Sequence, residues 1–302
     1  MAQPGKFIAI NNEIVPTEAA TVSVASSAVM YGLSVYSVIY AKKVDNGFLA
    51  FRLKDHLIRL RQSAHMIGLD NVDHFTDETA TAALISKLLE ANNPTGDQFI
   101  RITIHATDLV PGIRTRNLGL SLSIFLYDAV NILPQSGARI KTSLWRRTAD
   151  TAIPARAKVN GAYVNSALAK QDAIDSGFDD CLFLNHNGYV SELSAANIFM
   201  VKNSCLHTPD TASDILEGIT RRSVIELAKE LGISVCERNV ALTELYTADE
   251  VFACGTSAFV SPLLEIDSRK IGAGTIGTVT ERLRNELVRI QGEADHQWIS
   301  RV

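Results

Sequence analysis

Apolar and polar positions change their period along this chain, and each change marks an element. In "KFIAINNEIVP" and in "VYSVIYAKKVDNGFLAFR" two apolar runs flank a short polar pair, Asn11-Asn12 and Asn46-Gly47. That is the pattern of a β-hairpin. After Arg52 the period lengthens: Leu53, Leu57, Leu60, Ala64 and Ile67 recur at steps of four and three. One helix face is therefore apolar. A second helix is predicted from about Asp77 to Ala91, and "QFIRITIHA" and "LGLSLSIFLYDA" read as strands around the turn-rich "TDLVPGIRTRN". Antiparallel strands with two helices make one small domain.

Proline, glycine and polar residues then interrupt the periodic pattern in "AVNILPQSG", which reads as a linker. The expected organisation is a small α/β domain over 1–128, an interdomain linker over 129–137 and a larger domain over 138–302. Helical patterns near 160–176, 219–231 and 278–291 alternate there with strands such as "CLFLNHNGYVSE", "ANIFMV", "ISVCERNV", "DEVFACG" and "AFVSPLLEI". Gly232 follows "VIELAKEL" where a helix stop is expected. The fold class is α+β, and no tandem repeat points to a solenoid.

Composition narrows the function. With 302 residues, 46% of them hydrophobic and 21% charged, the chain can bury a large core. Twenty-nine basic against 33 acidic residues give a net charge of −4, so no basic field is present to hold nucleic acid or an anionic membrane. Small-molecule chemistry is favoured. Four scattered cysteines without a C-x-x-C pair fit a reducing cytoplasm better than a disulfide framework or a zinc ribbon. The N-terminus "MAQPGKFIAI" lacks the basic-then-apolar pattern of an export signal, and no apolar run reaches about 18 residues.

Three motif searches lead away from common chemistries. "GAGTIG" at 272–277 matches the G-x-G-x-x-G dinucleotide pattern, but too little chain follows for the βαβ unit that pattern requires. The seven histidines show no H-E-x-x-H or other metal-like spacing, and no G-x-S-x-G elbow occurs. No metal is expected.

Five other stretches fit an anionic, nitrogen-containing cofactor. "AFRLKDHLIRL" puts Arg52 where a strand turns into a helix, a place from which a guanidinium can fork onto a phosphate. "LEGITRRSVIEL" sets Gly218, Ile219 and Thr220 at a helix start, where free N–H groups favour an anion. "ACGTSAF" ends a strand on Gly255, Thr256 and Ser257. "NGYVSELSAANIF" places Glu192 among apolar and small residues, where a carboxylate needs a cationic partner to stay ionised. Taken singly, each also reads as ordinary structure: a surface arginine, a capped helix, a plain turn, a carboxylate at a strand end. "ARAKVNGAY" holds Lys158 between small residues that solvate an ammonium poorly. A lysine of ordinary pKa, near 10.4, is protonated at pH 7, and burial or neighbouring positive charge frees its lone pair for reaction.

In order and spacing these stretches, together with "DEVFACGTSA" and "GTIGTVTERL", resemble the fold-type IV, or class IV, pyridoxal-phosphate aminotransferases over roughly residues 25–290. The subgroup most resembled is that of the branched-chain amino acid aminotransferases. The resemblance implies the two-domain, D-amino acid aminotransferase-like fold and pyridoxal 5′-phosphate as cofactor. Lys158 would then form the Schiff base with it and move the proton between the substrate α-carbon and C4′. Tyr163 would meet the phenolic oxygen, and Glu192 the pyridine nitrogen. Arg52, Ile219 through its amide, Thr220 and Thr256 would grip the phosphate. Tyr31, Tyr36, Val38, Phe99, Arg101, Ser257 and Ala258 would build the substrate pocket. An amino donor and a 2-oxo acid acceptor follow as substrates, and a homodimer as the assembly.

The early strand "YGLSVYSVIYAKK" departs from the subgroup, which commonly reads Y-G-x-x-x-F-E-G-I-R; Ser37 and Val38 stand for its glutamate and glycine, and Phe99 for a usual tyrosine. D-amino acid and (R)-amine aminotransferases, and aminodeoxychorismate lyases of the same fold, are the alternatives this leaves. Arg114 and Arg116 in "VPGIRTRN" are candidate carboxylate receivers or solvated loop charges.

Overall fold

The first hairpin forms around the expected pair: β1 (Phe7–Ile10) and β2 (Glu13–Pro16) place Ile10 opposite Glu13, and Asn11 turns the chain with φ 53°. This computed structural model describes residues 3–302. A short helix α1 (Ser27–Tyr31), which the apolar pattern did not announce, is capped by Ser26 at its start and Gly32 at its end. The second hairpin joins β3 (Ser34–Val44) to β4 (Gly47–Phe51) with Val44 opposite Gly47. Its turn is thus Asp45-Asn46, one residue earlier than expected, because Gly47 is already a ladder residue.

Arg52 then takes a left-handed conformation, φ 51°, and starts α2 (Leu53–Met66). Leu53, Leu57, Leu60 and Ala64 are buried on its apolar face, which packs against β3. Asp77 accepts the Ala80 N–H at 2.8 Å and caps α3 (Glu78–Asn92). Two long strands, β5 (Gln98–Ala106) and β6 (Leu120–Asp128), complete this region.

Beyond it lie β7 (Ala138–Arg146), α4 (Tyr163–Asp175), β8 (Asp180–Leu184), β9 (Val190–Leu193), β10 (Asn197–Lys202) and β11 (Cys205–Thr208). They are followed by α5 (Ile219–Glu230), β12 (Val235–Glu237), α6 (Leu242–Leu245), β13 (Glu250–Gly255), β14 (Phe259–Ile266), β15 (Arg269–Lys270) and α7 (Thr278–Ile290). The chain ends in β16 (Ile299–Arg301). Two sheets result: an antiparallel one ordered β16-β4-β3-β5-β6-β1-β2, and a mixed one ordered β12-β11-β10-β13-β14-β7-β8-β9 with β15 on β14.

Two structural units correspond to these sheets. The first holds the residues up to Val130 together with Ala157–Ala162 and Ile290–Val302; the second holds Asn131–Arg156 and Tyr163–Arg289. The first boundary falls inside the stretch read as a linker, but a continuous second domain over 138–302 is not what the structure has. Residues 157–162 run beside the start of β3, where Val159 bridges Val35. The C-terminal strand pairs with β4, Ile299 opposite Phe51. Both segments satisfy their backbone groups on the first sheet. The second unit has its own core, including Ile140, Leu182, Leu193, Ile198, Val251 and Leu263. Among the described residues no helix is long and apolar enough to cross a membrane.

Candidate active site

In the first unit, the lysine segment is clamped along its backbone. The Lys158 carbonyl accepts the Tyr36 N–H at 3.0 Å, and its own N–H donates to Ser63 Oγ at 3.1 Å. Asn160 donates its amide to the Ser34 carbonyl at 2.9 Å and its side-chain nitrogen to Ser34 Oγ at 2.7 Å. Small residues make this approach possible: a Cβ on Gly32, at φ +69°, would lie 2.9 Å from Gly161 Cα. The conformation of "KVNGA" is therefore set by the end of α1 and the start of β3, next to Tyr31.

The side chains gather around one ring. Lys158 Nζ lies 4.8 Å above the Tyr36 centroid, and the Arg101 guanidinium lies 3.7 Å from the same centroid while bonding Asn160 Oδ1 at 2.5 Å. Strand register puts Tyr36, Val38 and Tyr40 on the same sheet face as Thr103, Arg101 and Phe99, with Phe125 and Tyr127 next along. That face is aromatic with a single guanidinium in it. Val38 sits opposite Arg101, and Phe99 is deeply buried between Tyr40 and Tyr127. Phe99 thus lies on the same face as Arg101, enclosed by its aromatic neighbours.

Arg52 is 6% exposed. Its guanidinium meets Asp55 at 3.1 Å and stacks 3.7 Å from the Trp298 ring, and its amide donates to the Trp298 carbonyl at 2.6 Å. The surface reading of Arg52 is overturned by this burial; the C-terminal strand supplies the ring that orders it.

In the second unit, Glu192 lies on the fully buried β9. Its Oε1 accepts Arg147 Nη2 at 2.8 Å, and its Oε2 accepts Asn197 Nδ2 at 2.9 Å and the Leu216 N–H at 3.2 Å. These donors, one of them the Arg147 guanidinium, stabilise negative charge on the carboxylate. The cation that burial demanded is therefore supplied by the protein itself. Asn197 also donates to the Leu216 carbonyl at 2.9 Å and sits opposite Cys254 on β13. A Cβ on Gly218 would lie 2.1 Å from Asn197 Oδ1, so only glycine lets the start of α5 come so close. Asn197 thereby links Glu192 to both candidate anion-holding stretches. Burial pushes the Cys254 thiol up to about 12, with Arg221 opposing and the charge of Glu192 adding.

Helix α5 begins at Gly218 without a side-chain cap, and Ile219 and Thr220 are both buried. Thr256 and Ser257 are half-buried in the turn after β13, whereas Ala258 is enclosed in the core of the second unit. Tyr163 is half-buried as the first residue of α4. "GAGTIG" precedes α7, and the amides of Val279 and Thr280 at the start of that helix donate to the Glu250 carboxylate at 3.0 and 2.8 Å. The amides at this helix start are thus taken up by a side chain of the protein. Arg116 pairs with Asp70 at 3.1 Å on the surface, and Arg114 is exposed.

Arg147, Asn160, Asn197 and Trp298 were not legible as site residues. Their partners lie 45, 59, 5 and 246 positions away along the chain. A signal did exist for one further group: His56, Arg59 and Ser63 follow Arg52 at steps of four, three and four, a polar stripe beside the apolar one, and all are buried. Within the first unit, an amine and a buried guanidinium are the group types that take an aldehyde and a phosphate; within the second, a buried carboxylate and an uncapped helix start with a buried threonine suit a cationic ring nitrogen and an anion.

The family description "Amino-transferase class IV" matches residues 38–266. A probable branched-chain-amino-acid aminotransferase of Aquifex aeolicus is 38% identical, covering 98% of this chain and 96% of its own. Among solved structures, a branched-chain aminotransferase of Thermoproteus uzoniensis with norvaline superposes with TM-score 0.90 at 32% identity, covering 98% of this chain and 99% of the other. The PLP form of the Thermobaculum terrenum branched-chain enzyme gives TM-score 0.89 at 33% identity, covering 98% of both chains.

Proposed function

The chain belongs to the class IV aminotransferases, pyridoxal-phosphate-dependent transaminases, and from that premise we propose that it exchanges an amino group between a branched-chain amino acid and a 2-oxo acid. The observation that carries the reading is the clamped Lys158, its amine held over Tyr36 beside Arg101 on an aromatic face. A hydrophobic side chain suits that face, and a carboxylate suits Arg101.

Each residue has a role in this proposal. Lys158 Nζ would condense with the aldehyde carbon with loss of water and, once the substrate's amine has displaced it from that carbon, would carry the proton between the substrate α-carbon and C4′. Arg52, the Ile219 amide, Thr220 and Thr256 hold the phosphate; Tyr163 orients the phenolic oxygen; Glu192 holds a proton at the ring nitrogen. Tyr31, Tyr36, Val38, Arg101 and Ser257 shape the substrate site. Pyridoxal phosphate, when bound, supplies an electron sink for the pair left at the α-carbon.

A second copy of the chain completes the proposal. Segments 20–31 and 107–119 are joined by the Ser26–Leu109 bridge and by Val110 N–H donating to the Ala25 carbonyl at 3.1 Å. Together they expose Val24, Val29, Leu109, Val110 and Ile113, an apolar patch of the kind a homodimer covers. Cytoplasmic action belongs to the same reading, with all four cysteines free.

The test mixes the yellow holoenzyme separately with L-leucine, D-alanine and (R)-1-phenylethylamine and follows the visible band. L-leucine is expected to bleach it fastest, with 2-oxoglutarate restoring it. Ser37, Val38 and Phe99 are the observations on the side of the D-amino acid or (R)-amine alternatives, and bleaching by those donors alone would move the assignment to them. Steady pyruvate release from aminodeoxychorismate without an acceptor would move it to the lyase.

A further inference from the structure

Lys158 is held on two sides by different elements. From its carbonyl onward the segment rests on β3, through Tyr36, Val35 and Ser34. Its amide turns the other way, to Ser63 Oγ on α2. Ser63 is fully buried and donates its single hydroxyl proton to the Arg59 carbonyl at 2.8 Å. What it offers the lysine amide is therefore an oxygen lone pair of fixed direction.

Arg59 is fixed in turn. It is buried, and its Nη2 donates to Ser37 Oγ at 3.1 Å, which meets His56 Nδ1 at 2.8 Å. Ser37 precedes no loop: it sits on β3 next to Tyr36, whose amide bonds the Lys158 carbonyl and whose ring underlies the amine. The contacts form a closed circuit, from Lys158 through Ser63, Arg59 and Ser37 to Tyr36 and back. None of Ser37, His56, Arg59 or Ser63 has a place in the roles given above. An ordinary buried helix packs apolar groups against its strand; this one carries a polar stripe where it meets the lysine.

We propose that Ser63, locked by Arg59 and Ser37, is a positioning residue that sets where the Lys158 amine stands. The proposal rests on Lys158 being the cofactor lysine. A group that must bond one carbon and then carry a proton between two others tolerates little displacement, and about 1 Å of misplacement costs on the order of a hundredfold in rate. Simple satisfaction of a buried amide would instead affect stability alone.

The experiment compares wild type, Ser63→Ala and Ser86→Ala. Ser86 makes the same kind of helix back-bond, to the Ala82 carbonyl at 3.0 Å, but on α3. Three quantities are read: the pH titration of the holoenzyme's visible band, the rate at which apoenzyme captures pyridoxal phosphate, and the single-turnover rate with L-leucine. For Ser63→Ala the band's titration midpoint shifts, and capture and turnover each slow by roughly tenfold or more. Ser86→Ala matches wild type in all three. A Ser63→Ala enzyme that titrates, captures and turns over like wild type overturns the proposal, whatever its melting temperature. Should that variant not fold, Ser37→Ala, one contact further round the circuit, takes its place with the same readouts. Borohydride reduction and peptide mapping of the wild type separate the two levels: an adduct on another lysine removes the underlying reading, whereas an adduct on Lys158 with a wild-type-like Ser63→Ala removes only the positioning role.

Discussion

Arg147→Met removes the guanidinium that meets Glu192 at 2.8 Å and leaves a side chain of similar reach. The two side chains are only 12% and 7% exposed, so water cannot replace the lost charge. Breaking a buried ion pair from one side costs about 3–5 kcal/mol. Asn197 Nδ2 and the Leu216 amide still donate to Glu192, each worth about 1.5–3 kcal/mol to a charged acceptor. The lower end, about 3 kcal/mol, is therefore expected for Arg147→Met. In Glu192→Gln the buried negative charge is gone, so adding Arg147→Met to it costs less. The coupling in the double-mutant cycle should reach about 1.5 kcal/mol or more. Urea unfolding of the four apoproteins, read by circular dichroism and tryptophan emission together, measures it. A loss below about 1 kcal/mol for Arg147→Met, the value of an exposed pair, with coupling under about 0.5 kcal/mol, refutes the reasoning.

Three other outcomes follow from the same geometry. Trp298→Ala takes away the ring against Arg52, a desolvated cation–π contact of about 2 kcal/mol, so, on the proposed role of Arg52 in holding the phosphate, the holoenzyme should lose pyridoxal phosphate about 30-fold more readily in equilibrium dialysis; an affinity within about threefold of wild type would count against that role or against its ordering by the C-terminal strand. Val38→Gly opens the sheet face opposite Arg101, and kcat/KM for L-leucine should rise by about tenfold at some cost in melting temperature; a fall in kcat/KM would show that Val38 packs usefully against the donor. At pH 8 the buried Cys181 and Cys254, whose thiols burial pushes up, the latter to about 12, stay protonated and unreactive, whereas half-buried Cys205 and Cys236 react. Ellman titration should count two thiols in native protein and four in denatured protein, and rapid labelling of Cys254 would contradict its enclosure.

Local pattern carried most of the element map. The four-three spacing from Leu53 and the alternation in "QFIRITIHA" were sufficient for α2 and β5, because a helix or strand with one buried face must repeat at its own period. Short elements such as α1 and β16 were missed, since five or three residues are too few to show a period. Among the candidate residues, Lys158, Glu192, Arg52 and Thr220 stood out because amines, carboxylates, guanidiniums and helix starts are conspicuous in small or apolar surroundings. Their partners did not stand out. Nothing in "WRR" sends Arg147 to Glu192, and nothing in the tail sends Trp298 to Arg52.

By itself, then, the sequence determined the periods and the approximate turns, which depend on neighbours within a few positions, while the class of chemistry and the residues to perform it were implied by the resemblance that several distant stretches carry together. Only the tertiary structure decided that residues 157–162 and 290–302 join the first sheet, that Arg147 neutralises Glu192, and that a stripe of polar groups on α2 reaches the Lys158 amide. The physical reason is range. Backbone preference and side-chain periodicity act through adjacent residues, whereas burying a charge or a free amide makes it find whichever partner the folded sheets bring near, however distant along the chain.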